Sequence, residues 1–314
     1  MYFFILTVVG LIAIAWFADL LVEGAVALSR RHGVPELVVG LTLCAFGTSA
    51  PELFVNAAAA LEGRHALVEA NVLGSNVFNT LVVLGVGALV TPLAVARSTR
   101  SIELPAQGVV MALFLLLAND AWLGHGASVV SRWDALVLLG GFVVFVVYAF
   151  TLDGTAGPDD DEVPLTSGWA KIYVLAGLFG LPLAAELVVH GASGLALLAG
   201  VSEKAVGLTL VSAGTSLPEL AATAAAAWKG RADLAVGNVV GSNLFNVLLV
   251  LGVSALLRPI EHVPALSVDA LFFVGCTGGV WLACQRGTLG RRVGLGLLAT
   301  FGAYLLFLFG RELA

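Results

Sequence analysis

Apolar runs of about twenty residues or more recur along nearly the whole chain, separated by short polar or Gly/Pro punctuation. A helix needs roughly 20 such residues to cross the hydrocarbon core of a bilayer. In that core only a helix or a closed barrel satisfies its own backbone groups. The runs predict ten segments, at about 2–28, 35–61, 66–90, 105–124, 133–151, 169–199, 205–228, 232–257, 264–284 and 293–310, and therefore an all-α polytopic membrane protein. Composition excludes a soluble domain. Of 314 residues 59% are hydrophobic and 11% charged, where soluble domains average about 25% charged. The first run, Met1 to Leu28, has no basic region before it and no small-residue cleavage site, so a retained helix is expected there, not a signal peptide. Asp159, Asp160, Asp161 and Glu162 supply four of the negative charges behind a net charge of -6, and no basic surface suits nucleic acid. Cys44, Cys276 and Cys284 lie in apolar runs without the spacing of a disulfide framework or a zinc site.

The longest polar stretch, LDGTAGPDDDEVPLTSG, reads as an acidic cytoplasmic linker at 152–168 between a first five-helix repeat at 1–151 and a second at 169–314. A shift of 167 residues maps the first half onto the second without a gap from about residue 18 to 93, and about three positions in five are identical over 40–93. GLTLCAFGTSAPEL (40–53) returns as GLTLVSAGTSLPEL (207–220), and NVLGSNVFNTLVVLGV (71–86) as NVVGSNLFNVLLVLGV (238–253). Such self-similarity marks a duplicated architecture. With an odd number of helices per half, the second copy enters the membrane from the opposite side, so inverted repeats are expected. If the N-terminus lies outside, cytoplasmic loops carry ten Lys and Arg and outer loops five: Arg64, Arg132, Lys204, Arg258 and Arg311. The positive-inside bias thus puts both termini on the outer or periplasmic side of the cytoplasmic (inner) membrane.

Glu52 and Glu219 each stand near the middle of an apolar run, each within Gly-Thr-Ser-x-Pro-Glu-Leu. A carboxylate at bilayer depth costs at least about 2.5 kcal/mol, so an intramembrane acid points to function. Pro51 and Pro218 cannot donate to the carbonyls of Gly47 and Gly214, and glycine there is expected to let the backbone unwind and free carbonyl oxygens as ligands. Thr48 and Ser49 precede Glu52 by four and three residues and so share its helix face; Thr215 and Ser216 stand likewise before Glu219. In the next segment of each half a polar stripe follows at four-residue spacing, Asn71, Ser75, Asn79 and Asn238, Ser242, Asn246. Carboxylate, hydroxyl, amide and carbonyl oxygens without His or Cys suit hard cations such as Ca2+ or Na+ and disfavour transition metals. A formal charge of minus two is neutralised by one Ca2+ or by two or more Na+. Mutually exclusive occupancy of one site is the physical basis of exchange, and an empty site, holding two uncompensated charges, disfavours movement of the unloaded carrier.

The paired GTSAPEL and GTSLPEL motifs, followed by GSNVFN and GSNLFN, resemble the two alpha-repeats of the cation/calcium exchanger superfamily, specifically its bacterial and archaeal sodium/calcium exchangers. The resemblance covers nearly the whole chain. It implies a central diamond of four broken helices, segments 2, 3, 7 and 8, across which segments 1 and 6 slide as gates. Carried over by motif position, it implies Glu52 and Glu219 as the shared Ca2+ and Na+ carboxylates and the backbone carbonyls of Thr48 and Thr215 on Ca2+. For the flanking Na+ sites it implies the hydroxyls of Ser49, Ser75, Ser216 and Ser242 and the carbonyls of Ala45 and Ser212, with Asn79 and Asn246 lining the middle. The ions are cargo, and no resident cofactor or enzymatic activity is expected. Some relatives carry Asp where Asn246 stands, including the potassium-dependent exchangers, so Asn in both halves argues against K+ co-transport. Ala70 and Glu69 stand where the second half has Gly237 and Val236.

The first expectation is a Na+/Ca2+ antiporter of the cytoplasmic membrane. A Ca2+/H+ antiporter using the same two glutamates is the alternative, and an ion channel comes from a different class. The GxSG at Gly191–Gly194, which resembles that of intramembrane proteases, lacks a base for Ser193 and reads as helix packing, as does the fingerprint-like GLGLLA at 294–299. Asp19 and Glu186 match at the same offset on the gate segments, while Glu23 maps to His190; they are kept outside the site.

Overall fold

The computed structural model describes residues 1–119, 128–152, 165–199 and 214–313. Its helices are α1 (Tyr2–His32), α2 (Glu36–Thr48), α3 (Ala50–Leu61), α4 (His65–Val90), α5 (Thr99–Ala118), α6 (Arg132–Ala149), α7 (Ser167–Leu198), α8 (Leu217–Trp228), α9 (Ala232–Leu257), α10 (Pro264–Arg286) and α11 (Arg291–Leu313). Four two-residue strands stand between them, β1 (Leu93–Ala94), β2 (Val129–Val130), β3 (Ile260–Glu261) and β4 (Thr288–Leu289). Among the described residues eight helices are long and apolar enough to cross a bilayer, and α2 with α3, bent by 46°, make a ninth. The chain is an all-α, multi-pass membrane protein. α8 belongs to the segment expected at 205–228, whose first residues lie outside the described ones together with most of the linker. The segment expected at 105–124 starts earlier, at Thr99, and its described helix ends at Ala118, where Asn119 donates Nδ2 to the Leu115 carbonyl (2.8 Å).

α1 and α7 pack antiparallel along their lengths through glycines. A Cβ on Gly24 would stand 2.8 Å from the Ala170 carbonyl and 2.8 Å from the Val174 amide, one on Gly177 2.9 Å from Leu21 Cα, and one on Gly191 2.6 Å from the Thr7 amide. Close backbone approach at small residues is how helices associate where lipid removes the hydrophobic drive. The small residues around Ser193 therefore serve this seam.

α4 and α9 are the most enclosed helices and form the centre. They run antiparallel. Beyond the end of α9, Arg258 donates Nη1 to the Leu61 carbonyl (3.1 Å), and the Glu261 amide reaches His65 Nδ1 (2.9 Å) at the start of α4. At the opposite end, Arg231, just before α9, pairs with Glu36 (3.3 Å), and β1, just beyond α4, packs beside α9. The turns into α4 and α9 are closed by Gly63 and Gly230, at φ +76 and +71, 167 residues apart and in a region other residues rarely occupy. β2 pairs antiparallel with β3 at one end, and β1 with β4 at the other.

Glu69 lies outside the site. Its carboxylate, fully buried, meets His262 Nδ1 at 3.0 and 3.2 Å and accepts the Val263 amide (3.0 Å), and His262 Nε2 meets Ser267 Oγ at 2.8 Å. The acid pins the α9–α10 connection to α4, a task the second half does not repeat at Val236.

Gly24→Val should lower stability by about 1–3 kcal/mol through overpacking against backbone. Gly296→Ala, which would meet nothing within 4 Å, should be neutral. Thermal unfolding in detergent compares the two.

Candidate functional site

The two glutamates sit where a helix restarts. Hydrogen bonding in the first motif runs from the Ser49 amide to the Ala45 carbonyl (3.0 Å) and resumes with the Leu53 amide to the Ser49 carbonyl (3.2 Å). Pro51 leaves the Gly47 carbonyl without its helical donor. The break falls at Ser49 (φ -87, ψ 5) and, in the second motif, at Ser216 (φ -93, ψ 6). This corrects the expectation that the backbone unwinds at glycine: Ala45–Thr48 is still helical, and a Cβ on Gly47 would overlap Leu178 of α7, as one on Gly214 would overlap Val189. Those glycines make room for a neighbouring helix. Each break creates a helix N-terminus with proline in the first turn, where its missing N–H costs nothing. Glu52 and Glu219 both occupy that turn, where the helix dipole favours a negative charge.

Ser49 and Ser216 stand at the N-cap positions, yet neither caps its own helix. Ser49 Oγ donates to Glu219 Oε1 (2.8 Å) and Ser216 Oγ to Glu52 Oε1 (3.3 Å). The hydroxyl three residues before each glutamate therefore serves the glutamate of the other half, and not its own as a shared helix face suggested. The two motifs thus cross-link within one buried space. Both carboxylates are fully enclosed, and the Oε2 atom of each has no partner. Among the described residues no Lys, Arg or His pairs with either, and no cluster of three His, Cys, Asp or Glu side chains forms.

Around this pair the structure gathers several of the predicted residues. Thr48 Oγ1 donates to the Cys44 carbonyl (3.1 Å) and lies 3.3 Å from Asn238 Oδ1 and 3.5 Å from Ser242 Oγ. Ser242 Oγ reaches Glu219 Oε1 at 3.5 Å. Thr215 stands in the break beside Ser216. Ser75, also buried, donates to Asn71 Oδ1 (3.2 Å), so its hydroxyl is not on either glutamate. The Ala45 carbonyl keeps its helical bond from Ser49, and Ser212 lies outside the described residues. Asn79 and Asn246 are fully buried and each opens a π-helical turn, Asn79–Val83 and Asn246–Leu251, of the kind frequent at functional positions. Neither amide atom of Asn79 has a partner, nor has Asn246 Oδ1.

Other residues were not foreseen. Asn56 donates Nδ2 to the Glu52 carbonyl (2.7 Å), while Thr223, at the matching position, accepts from Asn238 Nδ2 (3.0 Å). An amide clasp joins α4 to α9: Asn76 donates to the Asn243 carbonyl (3.2 Å), Asn246 Nδ2 to Asn76 Oδ1 (3.1 Å), and Asn243 Nδ2 to Thr80 (3.0 Å) and to Gln107 of α5 (2.9 Å). Repetition of Asn76 and Asn243 at the 167 offset was a signal for them; Gln107 offered none. Asp19 and Glu23 of α1 both bond Lys229 Nζ, at 2.6 and 2.8 Å, beyond the end of α8, whereas Glu186 and His190 are exposed.

The buried space holds two carboxyl groups with hydroxyl and amide oxygens around them, groups of the kind that hard cations take as ligands. The sodium/calcium exchanger protein family matches residues 2–151 and 169–310. CaxA of Alkalimonas amylolytica is 38% identical over 97% of this chain and 98% of its own, and the inner membrane protein YrbG of Escherichia coli (strain K12) is 36% identical over 95% and 93%. The solved structure of the sodium-calcium exchanger NCX_Mj soaked without Na+ and Ca2+ superposes with a TM-score of 0.82 at 28% identity, covering 96% of this chain and 97% of that one. The chain belongs to the sodium/calcium exchanger family of membrane transporters.

Proposed function

We propose that the chain is a secondary-active antiporter exchanging Na+ for Ca2+ across the cytoplasmic membrane by alternating access, with Glu52 and Glu219 as ligands shared by both ions. The observation that carries this reading is the pair of buried, unpartnered Oε2 oxygens on carboxylates whose Oε1 atoms are already held by a serine of the other half. Two such oxygens in a water-poor space are satisfied by a cation. One Ca2+, or two or more Na+, offsets the pair's formal charge of minus two, so the ions compete for one site. In this reading the carbonyls of Thr48 and Thr215 contribute to Ca2+. The hydroxyls of Ser49, Ser75, Ser216 and Ser242, with the carbonyls of Ala45 and Ser212, contribute to flanking Na+ positions, and Asn79 and Asn246 line the middle.

The same reading takes the chain as ten spanning helices in two inverted five-helix repeats, with both termini on the outer side. The antiparallel course of α4 and α9 supports it. α1 and α7, joined by their glycine seam, are the pair that moves across the central helices, and an empty, doubly charged site disfavours that movement.

In inverted membrane vesicles an imposed Na+ gradient should drive calcium-45 uptake with no pH gradient present. Uptake driven by a pH gradient without Na+ would assign the same glutamates to Ca2+/H+ exchange, and uptake that needs neither gradient defeats both antiport readings.

Glu52→Gln and Glu219→Gln should each lower exchange by at least about a hundredfold, beyond the 10–100-fold usual for residues that only support a ligand. Flux in proteoliposomes at matched protein density measures this, and near-normal exchange in either variant removes that residue from its role.

A further inference from the structure

A cavity of about 450 Å³ is lined by Arg97, Arg100, Ser101, Pro105, Trp281 and Gln285, none of them a residue of the glutamate site. It lies where the connection from α4 to α5 meets the connection from α10 to α11, the two held together by the β1–β4 pairing of Leu93 with Leu289 and Ala94 with Thr288. Its walls are fixed. Arg100 donates Nη1 to the Gln285 carbonyl (2.9 Å), Trp281 donates Nε1 to the Arg100 carbonyl (2.7 Å), and Gln285 donates Nε2 to the Trp281 carbonyl (2.9 Å).

Charge at this place is strongly one-sided. The two connections and the helix ends that flank them carry Arg97, Arg100, Arg286, Arg291 and Arg292, and the one acid among them, Glu103, is buried and accepts the Tyr148 hydroxyl (2.6 Å). Among the described residues neither Arg97 nor Arg100 has a carboxylate partner, and Arg100 Nε is buried without any partner. Arg97 is exposed. The apolar side chains Ile102 (46% exposed) and Leu282 (66%), each next in sequence to a lining residue, are exposed, and Trp281 is the kind of side chain that settles at headgroup level.

A guanidinium with no carboxylate partner and one buried N–H still to satisfy suits the oxygens of an anionic group such as phosphate, which its planar donors match. Basic pockets between spanning helices on the positively charged side hold anionic headgroups. We propose that this cavity binds the phosphate of an anionic phospholipid from the leaflet facing the arginine-rich connections. A soluble phosphate shares the recognition chemistry, but Trp281 in the lining and the position at the ends of membrane-spanning helices favour the lipid.

The test uses the full-length protein in nanodiscs of phosphatidylcholine with a minor fraction of phosphatidylglycerol, with retained phosphatidylglycerol counted by native mass spectrometry. Arg97→Gln, whose side chain makes no hydrogen bond among the described residues, leaves the fold intact and should weaken retention about fivefold, as should Arg100→Gln, from about 1 kcal/mol per arginine at 1.4 kcal/mol per tenfold. Arg64→Gln, at an exposed position beside Glu62, should leave retention unchanged. Equal retention in the wild type and both cavity variants overturns the proposal. So does displacement of phosphatidylglycerol by millimolar inorganic phosphate, which would assign the cavity to a soluble anion.

Discussion

Two carboxylates enclosed in an apolar bundle are costly unless something replaces their lost hydration, and the arrangement around Glu52 and Glu219 follows from that demand. Each takes a serine hydroxyl from the opposite motif, Glu219 is also reached by the Ser242 hydroxyl, and each has the field of the helix N-terminus on which it stands. That is enough to hold one oxygen of each acid in place and too little to neutralise it. A buried acid left in that condition is costly. In the proposed reading a cation meets that need, since the Oε2 oxygens of both acids are left without a partner.

Serine at an N-cap ordinarily accepts from its own helix, at a gain of about 1 kcal/mol. Here both cap serines forgo that bond and face across the interface. The proline-containing first turn tolerates the loss because fewer N–H groups await a partner there. The breaks are thus the means by which two helix starts are brought together in the interior. The frame around them is built for rigidity. The amide clasp of Asn76, Asn243 and Asn246 ties α4 to α9 and, through Gln107, to α5. Outside it, α1 and α7 meet through glycines, a smooth contact with each other, while Lys229 tethers α1 through Asp19 and Glu23 at one end. The positions that match these three at the 167 offset, Glu62 in the first half and Glu186 and His190 in the second, include no lysine, so the two ends of the bundle are held unequally.

Much of this was legible in the sequence, for physical reasons that also set its limit. Bilayer thickness fixes how long an apolar run must be, so most spans were found within a few residues, and the cost of a buried charge singled out Glu52 and Glu219. What spacing cannot reveal is contact between helices. Ser49 and Glu52 share a face of one helix, yet the angle at Ser49 turns the hydroxyl to Glu219, a residue 170 positions away. Equal spacing also hid unequal roles, since Asn238 contacts Thr48 and Thr223 while Asn71 takes the Ser75 hydroxyl. The π turns at Asn79 and Asn246 have no sequence marker, because the extra residue is accommodated by packing and not by composition. Gly47 misled for a related reason: a missing side chain fits both an unwound backbone and a close neighbour, and only the position of Leu178 decides between them.

The central claim is that the two acids make one cation site that either ion fills to the exclusion of the other. Equilibrium binding of calcium-45 to the purified protein, titrated with Na+, tests it most directly. One Ca2+ per chain, displaced cooperatively by more than one Na+ and lost as the same event in Glu52→Gln and in Glu219→Gln, is the result this account requires. Two independent Ca2+ sites, each abolished by only one of the substitutions, would contradict it.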